Sequence, residues 1–403
     1  MARKMKRDLT MEEQLARGPL DMPFLMLVVL LTGIGLVMMF SASYASAYYD
    51  ANVNNNPLYY FMRQAVFAVM GLGFMYLISK INYQNLRWLS VFVLGAGFLL
   101  LVLVLIPGIG VKVNGARRWI RSIGPIPQFQ PSEVMKLGVI LYFSARMSKR
   151  NTEKPKRLSP RSPLSGAVNW LDRSGFFELI PYGLILGAVM LLMKQQPHMS
   201  GTILILAAGA SILFAGGVKL GWFALGGAGV AVILWAMLNG YQSGRIDIFK
   251  DPWAFPQEGG WQTIQSLLAI GSGGLLGVGL GNSRQKFLYL PEPENDFIFA
   301  IVCEELGFIG AAVVLILFAL LIIRGYWIAI HARDRFGSLM VVGITTLLAV
   351  QVFLNIAVVA HVIPVTGVSL PFFSYGGTAL LIQLAEMGII LSVSRQIPAA
   401  RQG

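Results

Sequence analysis

Phe297-Ile298-Phe299-Ala300-Ile301-Val302-Cys303-Glu304-Glu305-Leu306-Gly307-Phe308-Ile309-Gly310-Ala311-Ala312-Val313-Val314-Leu315-Ile316-Leu317-Phe318-Ala319-Leu320-Leu321-Ile322-Ile323 is an apolar run broken only by two adjacent glutamates. A membrane-spanning helix needs about 20 mostly apolar residues, and this stretch exceeds that without a proline. The rest of the chain has the same character. Of its 403 residues 56% are hydrophobic and only 13% charged, with a mean hydropathy of +0.66, whereas soluble domains carry roughly 25% charged residues. A soluble multidomain enzyme, a disordered scaffold and a disulfide-rich secreted module are thereby excluded. Cys303 is the one cysteine, and His198, His331 and His361 are scattered, so no metal-ligand motif is legible.

Outward from this run lie nine more apolar segments, giving spans near 22 to 44, 63 to 79, 88 to 107, 131 to 147, 176 to 194, 199 to 216, 220 to 239, 297 to 323, 338 to 360 and 376 to 394. The fold expected is an all-α polytopic membrane protein, one membrane domain over 1-403. Ten is even, so both termini share a side. Most of the 32 Lys and Arg residues fall on that side, 21 in all, with 14 of them in the N-terminal segment 1-21, the basic loop 148-175 and the tail 395-403, which makes it cytoplasmic by the positive-inside rule. The small residues from Ser41 to Ala47 have a cleavage-like spacing, but the first apolar run exceeds a signal peptide's core of roughly 7 to 15 residues and reads as a retained span. The basic loop is too polar and Pro-interrupted to pack. It is expected to meet anionic membrane lipids and not nucleic acid.

The outer loop 240-296 is far longer than a connection requires, and loops of that length are usually functional or disordered. Trp253, Trp261, Ile264, Leu267, Leu268, Phe287 and Leu290 give it an amphipathic, membrane-hugging composition. Its glycine run from Gly271 to Gly281 lacks the strand, helix and acidic partner of a dinucleotide fingerprint, so tight turns or close helix approach explain it better. Pro291 and Pro293 then predict extended backbone leading to Asp296 at the edge of the eighth span. Asp296 reads either as a helix cap or as a carboxylate at the membrane surface able to act as general base. Glu304 lies eight residues further on, about 12 Å along a helix, too far for a carboxylate pair working at roughly 5 Å.

The fourth span carries Glu133 and Lys136 on one helical face. They form either a neutralising pair or the wall of a polar cleft, the usual meaning of ions at bilayer depth. Lys112, Arg117, Arg118 and Arg121 lie just upstream on the outside, where cations could hold phosphate. Gln196-Pro197-His198 and Leu370-Pro371-Phe372-Phe373-Ser374-Tyr375-Gly376-Gly377 are further polar or Gly/Pro interruptions at outer helix ends, of the kind substrate sites in membrane proteins use. The cleft would suit an enzyme, or a flippase moving a lipid-linked substrate. The long outer loop favours the enzyme.

Gly115-Ala116-Arg117-Arg118-Trp119, Gln130-Pro131-Ser132-Glu133-Val134-Met135-Lys136, Leu290-Pro291-Glu292 with Asn295-Asp296-Phe297-Ile298-Phe299-Ala300, Glu304-Glu305-Leu306-Gly307 and Leu370 to Gly377 together resemble the SEDS (shape, elongation, division and sporulation) family from the first span to the last. Ser283-Arg284-Gln285-Lys286-Phe287 and Pro364 to Pro371 look more like its FtsW and SpoVE branch than its RodA branch. The resemblance implies a ten-span peptidoglycan glycosyltransferase of the bacterial cytoplasmic membrane. Such an enzyme polymerises lipid II on the extracytoplasmic side with a class B penicillin-binding protein and other divisome membrane proteins. It implies Asp296 as the required carboxylate and Glu133 and Lys136 as the polar pair of the cavity. Arg117, Arg118, Trp119, Arg284, Lys286, Glu292 and Ser374 complete the residues expected at the substrate. No cofactor is implied with certainty, although a divalent cation, Mg or Mn, could share the load on a diphosphate. One departure stands out: His198 follows Gln196-Pro197 where members commonly have aspartate, so no role of that aspartate carries over.

Overall fold

The computed structural model describes residues 18–113, 116–122, 128–150, 175–238, 243–257 and 259–397. Most of the N-terminal segment, the bulk of the basic loop, Gly115 and the last six residues of the tail lie outside these. Among the described residues there are twelve α-helices. They are α1 (Met22–Tyr49), α2 (Tyr59–Lys80), α3 (Asn85–Leu103), α4 (Pro131–Met147), α5 (Phe176–Gln195), α6 (Met199–Ala215), α7 (Leu220–Leu238), α8 (Ser243–Lys250), α9 (Gly260–Gly273), α10 (Ile298–His331), α11 (Arg335–Val359) and α12 (Gly377–Ser394). All but α8 and α9 coincide with the predicted segments, with α1 and α10 running further than expected. Seven are long and apolar enough to cross a membrane, while α4 and α6, with 17 residues each, are shorter. The protein is a multi-pass membrane protein. The sequence reading missed one element, a hairpin of β1 (Gly110–Val113) and antiparallel β2 (Ala116–Ile120) that carries Arg117, Arg118 and Trp119.

The helices show the inverted amphipathicity of a membrane bundle. On α2 the buried residues are Gln64, Ala68, Gly71, Met75 and Ser79, one stripe of mostly small or polar side chains. Val69, Phe74 and Leu77 point outward, where lipid tails replace water. α11 and α12 are buried over most of their length and form the centre. Helix ends gather on two faces. On one, Arg324 grips Asp21 at 2.7 Å, Tyr83 donates to Asp334 at 2.6 Å and Arg395 reaches the Gly18 carbonyl, which brings the starts of α1, α3 and α11 to the ends of α2, α10 and α12. Asp296 lies on the opposite face.

α10 is not one helix. At Gly307 the backbone leaves the helical region, with φ 66° and ψ −170°, and the Gly-rich strip 274–279 fills the gap. Phe308 and Ile309 donate their N–H groups to the carbonyls of Gly274 and Leu275 at 2.9 and 3.2 Å, while Val278 and Gly279 donate to the carbonyls of Glu304 and Glu305 at 3.0 and 3.1 Å. Backbone groups at membrane depth find no water, and each buried group left unpaired would cost roughly 1–3 kcal/mol. A Cβ on Gly307 would collide with Leu275, Leu276 and Gly277, and one on Gly277 would collide with Glu305, so the glycine run serves close backbone approach.

The same strip continues into a buried polar lock. Ser283 donates its hydroxyl to Glu304 at 2.5 Å, and the Arg284 N–H donates to Glu304 at 2.9 Å. Glu305 pairs with Lys286 at 2.9 Å and accepts from Ser41 of α1 at 2.7 Å. Lys286 also donates to Ser41 and to the Gly281 carbonyl. The pair is almost wholly buried, so removing one partner would strand a charge.

Gly277→Ala is expected to destabilise the protein by about 3 kcal/mol or more, because a strained backbone and a collision coincide. Gly271→Ala, at an exposed helical position with open space around its Cβ direction, should be neutral or stabilising by up to about 1 kcal/mol. Thermal unfolding in detergent checks both: a drop in midpoint confined to Gly277→Ala is expected, and equal midpoints would contradict the role given to the break.

Candidate active site

Asp296 stands two residues before α10, at the end of a short helical piece that closes at the Gly307 break. Phe297 occupies the helix cap with no side-chain capping bond, so the cap reading of Asp296 does not describe the geometry. The backbone from Leu290 to Phe297 is a run of bends and turns and not the extended approach expected from the prolines. Glu292 adopts φ 49°, and Asn295 donates back to its carbonyl at 3.0 Å.

Three successive carbonyls of this segment are clamped. Glu294 O accepts from the Tyr375 N–H at 2.8 Å, Asn295 O from the Ser374 hydroxyl at 2.7 Å, and Asp296 O from the Asn355 amide at 2.8 Å. Asn355 also donates to Val368 O at 2.6 Å, and Ser374 Oγ accepts from the Leu370 N–H at 2.7 Å. Gln351 holds Ser369, and Gln64 of α2 brackets Ser374 and Gly376. Side-chain amides projecting from α2 and α11 thus fix the loop 360–376, and the loop fixes Asp296. Its carboxylate is partly exposed and lies against Gly367, where a Cβ would stand 3.2 Å from Oδ2.

A second polar group adjoins the first. Ser200, in the first turn of α6, donates to the Gly367 carbonyl at 3.3 Å. Two residues earlier, His198 Nε2 lies 3.2 Å from the Gln130 amide nitrogen. Arg118 donates to the carbonyls of Gln196 and Pro197, and Lys136 pairs with Glu133 at 2.7 Å. The charges of Lys136 and Glu133 also bear on Glu386 of α12. Asp296 is thus linked through Gly367 and Ser200 to the first turn of α6, and Arg118 and Gln130 meet the chain just before that turn.

Other predicted residues are placed differently. Lys286, expected to face substrate, is instead committed to Glu305, Ser41 and Gly281, because the broken helix brings a buried carboxylate to it. Arg284 and Glu292 are exposed on the loop. Arg117 donates to Leu105 O at 3.3 Å, and Trp119 is half-buried on β2. Among the described residues no three His, Cys, Asp or Glu side chains converge as a metal centre.

Sequence reasoning missed Glu294, a buried carboxyl two residues from Asp296. Burial raises its pKa above the usual carboxylate range, although a hydrogen bond from Ser46 at 3.1 Å opposes this. Burial, together with the cations Arg118 and Lys136, pushes the His198 imidazole down to about 3.

With this geometry in hand, the comparisons with known proteins agree in one direction. Residues 22–398 match the FtsW/RodA/SpoVE family, described as cell cycle protein. The chain is 40% identical over 377 residues to stage V sporulation protein E of Bacillus subtilis (strain 168), covering 93% of this chain and 97% of that protein. It is 39% identical over 385 residues to the probable peptidoglycan glycosyltransferase FtsW of Geobacter sp. (strain M18), covering 94% and 98%. A solved structure described as structural coordination of polymerization and crosslinking by a peptidoglycan synthase complex superposes with a TM-score of 0.71 at 28% identity, covering 93% of this chain and 98% of that one. The rod shape determining protein RodA of Thermus thermophilus superposes at 0.65 and 27% identity, covering 94% and 98%. The chain belongs to the FtsW/RodA/SpoVE family, the SEDS family its motifs resemble.

The depressed His198 pKa has a stability consequence. An unfolded imidazole takes up its proton near 6.5 and the folded one only near 3, so the stability this group contributes is complete above pH 6.5 and is lost as the pH falls toward 3. Between pH 7.5 and 5.5 the loss is about 1.4 kcal/mol. Unfolding midpoints of wild type and His198→Asn across this range should diverge, with the shallower slope in the variant; parallel slopes would contradict the buried neutral imidazole.

Proposed function

We propose that the chain is a peptidoglycan glycosyltransferase of the bacterial cytoplasmic membrane that polymerises lipid II on the extracytoplasmic side. Ten membrane passes put both termini in the cytoplasm. The observation that carries the reading is the clamped 294–296 segment. It holds three backbone carbonyls in place and sets Asp296, itself only partly buried, against Gly367, the kind of preorganisation a general base requires.

In this reading Asp296 takes the proton of the 4-hydroxyl on the acceptor's terminal N-acetylglucosamine. The oxygen forms a bond to the anomeric carbon of the donor's N-acetylmuramic acid as the bond from that carbon to the diphosphate breaks. The electron pair leaves with undecaprenyl diphosphate, and one displacement inverts the α linkage to β. The diphosphate needs no protonating acid, but its developing charge needs preorganised cations. Arg117 and Arg118, half-buried on the hairpin, are the candidates for this. The Lys136–Glu133 pair supplies a polar cleft floor of balanced charge, while Lys286 holds the loop. The family's description as cell cycle protein supports a role in cell division, and the likeness to a chain of a peptidoglycan synthase complex supports work with a class B penicillin-binding protein; other divisome membrane proteins are the further partners of this reading.

Asp296→Asn should fold and bind lipid II yet lose roughly 10²–10⁴-fold in polymerisation, the usual worth of a general base. The test is glycan formation from purified lipid II in detergent with the partner transpeptidase present. There a flippase would give no polymer, and polymer at the wild-type rate from Asp296→Asn would remove this residue from the mechanism.

A further inference from the structure

A cavity of about 130 Å³ opens between α8, the first turn of α9 and the loop after α11. Ile248, Phe249, Pro364 and Val365 supply apolar walls, and Thr263 and His361 supply polar ones. His361 stands at φ 56° with its ring centroid 4.9 Å from that of Phe249. Thr263 is almost fully buried, and its hydroxyl has no hydrogen-bond partner among the described residues. A buried hydroxyl without a partner is costly, and a ligand carbonyl would complete it.

Size and chemistry narrow the occupant. An engineered cavity of about 150 Å³ encloses a benzene ring, and this one falls short of the roughly 300 Å³ of pockets that hold whole drug-sized ligands. It takes one ring or one substituent, not a disaccharide. No Lys, Arg, Asp or Glu is among the described lining residues, which disfavours a diphosphate or a carboxylate. A methyl group against the apolar walls and a carbonyl accepting from Thr263 describe an acetamido group. Val365 is two residues from Gly367, a span of at most roughly 7 Å of chain, and Gly367 touches the Asp296 carboxylate. A hexose with its 2-acetamido group in the cavity would thus bring its 4-hydroxyl toward Asp296.

We propose that this cavity is a subsite for the 2-acetamido group of the acceptor sugar. The inference rests on the glycosyltransferase reading, but its test does not need turnover. Saturation-transfer NMR on the purified full-length protein in detergent micelles would compare N,N′-diacetylchitobiose with its deacetylated counterpart. Strong saturation of the acetyl methyl protons is expected. Thr263→Met, which fills the cavity, should reduce it at least fivefold, and the deacetylated disaccharide should show no comparable signal. Thr263→Val should raise the acceptor KM roughly fivefold with little change in kcat, the size expected for one neutral hydrogen bond. If Thr263→Met does not fold, as judged by its melting midpoint, Val365→Phe fills the cavity from the opposite wall. Absent methyl saturation in the wild type, or equal saturation in wild type and a folded cavity-filled variant, overturns the subsite. Wild-type protein that gives the methyl saturation but forms no polymer from lipid II would overturn the glycosyltransferase reading alone.

Discussion

A helix interrupted inside a membrane must have every freed N–H and carbonyl paired by something other than water. At Gly307 that constraint is met by the strip 274–279, whose backbone receives and returns the four hydrogen bonds that α10 gives up. The strip is anchored in turn by side chains. Glu304 and Glu305 hold Ser283, Arg284 and Lys286, and Ser41 ties the group to α1. A buried ion pair adds little net stability compared with an apolar replacement, while losing one partner costs about 3–5 kcal/mol. The lock therefore enforces one arrangement more than it strengthens the fold. Its consequence is positional: the short helical piece from Ile298 to Leu306 becomes a fixed mount with Asp296 at its far end.

The other end of that mount is held just as closely. Amides of Asn355, Gln351 and Gln64 fix the loop 360–376; the loop grips the carbonyls of Glu294 and Asn295, and Asn355 itself takes that of Asp296. Through Gly367 and Ser200 the same loop joins Asp296 to the first turn of α6. From there the polar path continues to His198, Arg118 and the Lys136–Glu133 pair. A carboxylate on a rigid mount suits the proposed lipid-linked, diphosphate-bearing substrate. Such a substrate offers a good leaving group and asks the protein mainly for orientation, deprotonation and charge stabilisation.

Much of this was legible in the sequence because membrane spans are written in composition. The apolar segments needed only length and hydropathy, and Glu133 with Lys136 at i,i+3 announced their pairing. What was missed depends on partners distant in sequence. Lys286 looked like a substrate cation because nothing local shows that a helix break brings Glu305 beneath it. Glu294, Asn355 and Gln351 became visible as clamps only once the loop 360–376 was seen folded over them. The hairpin was within reach, since Asn114-Gly115 between Val-rich and Arg-Arg-Trp-Ile stretches is a strong turn signal. The prolines misled for a different reason: Glu292 between them takes a left-handed conformation, which closes a turn that their own dihedral preferences do not specify.

The most direct measurement is a structure of the full chain with an unreactive lipid-linked acceptor bound. The expected result is the acceptor's 4-hydroxyl within about 2.6–3.2 Å of an Asp296 carboxylate oxygen, or joined to it by a single water. An acceptor seated in the cleft with that hydroxyl beyond such reach, facing another side chain, would contradict the role given to Asp296.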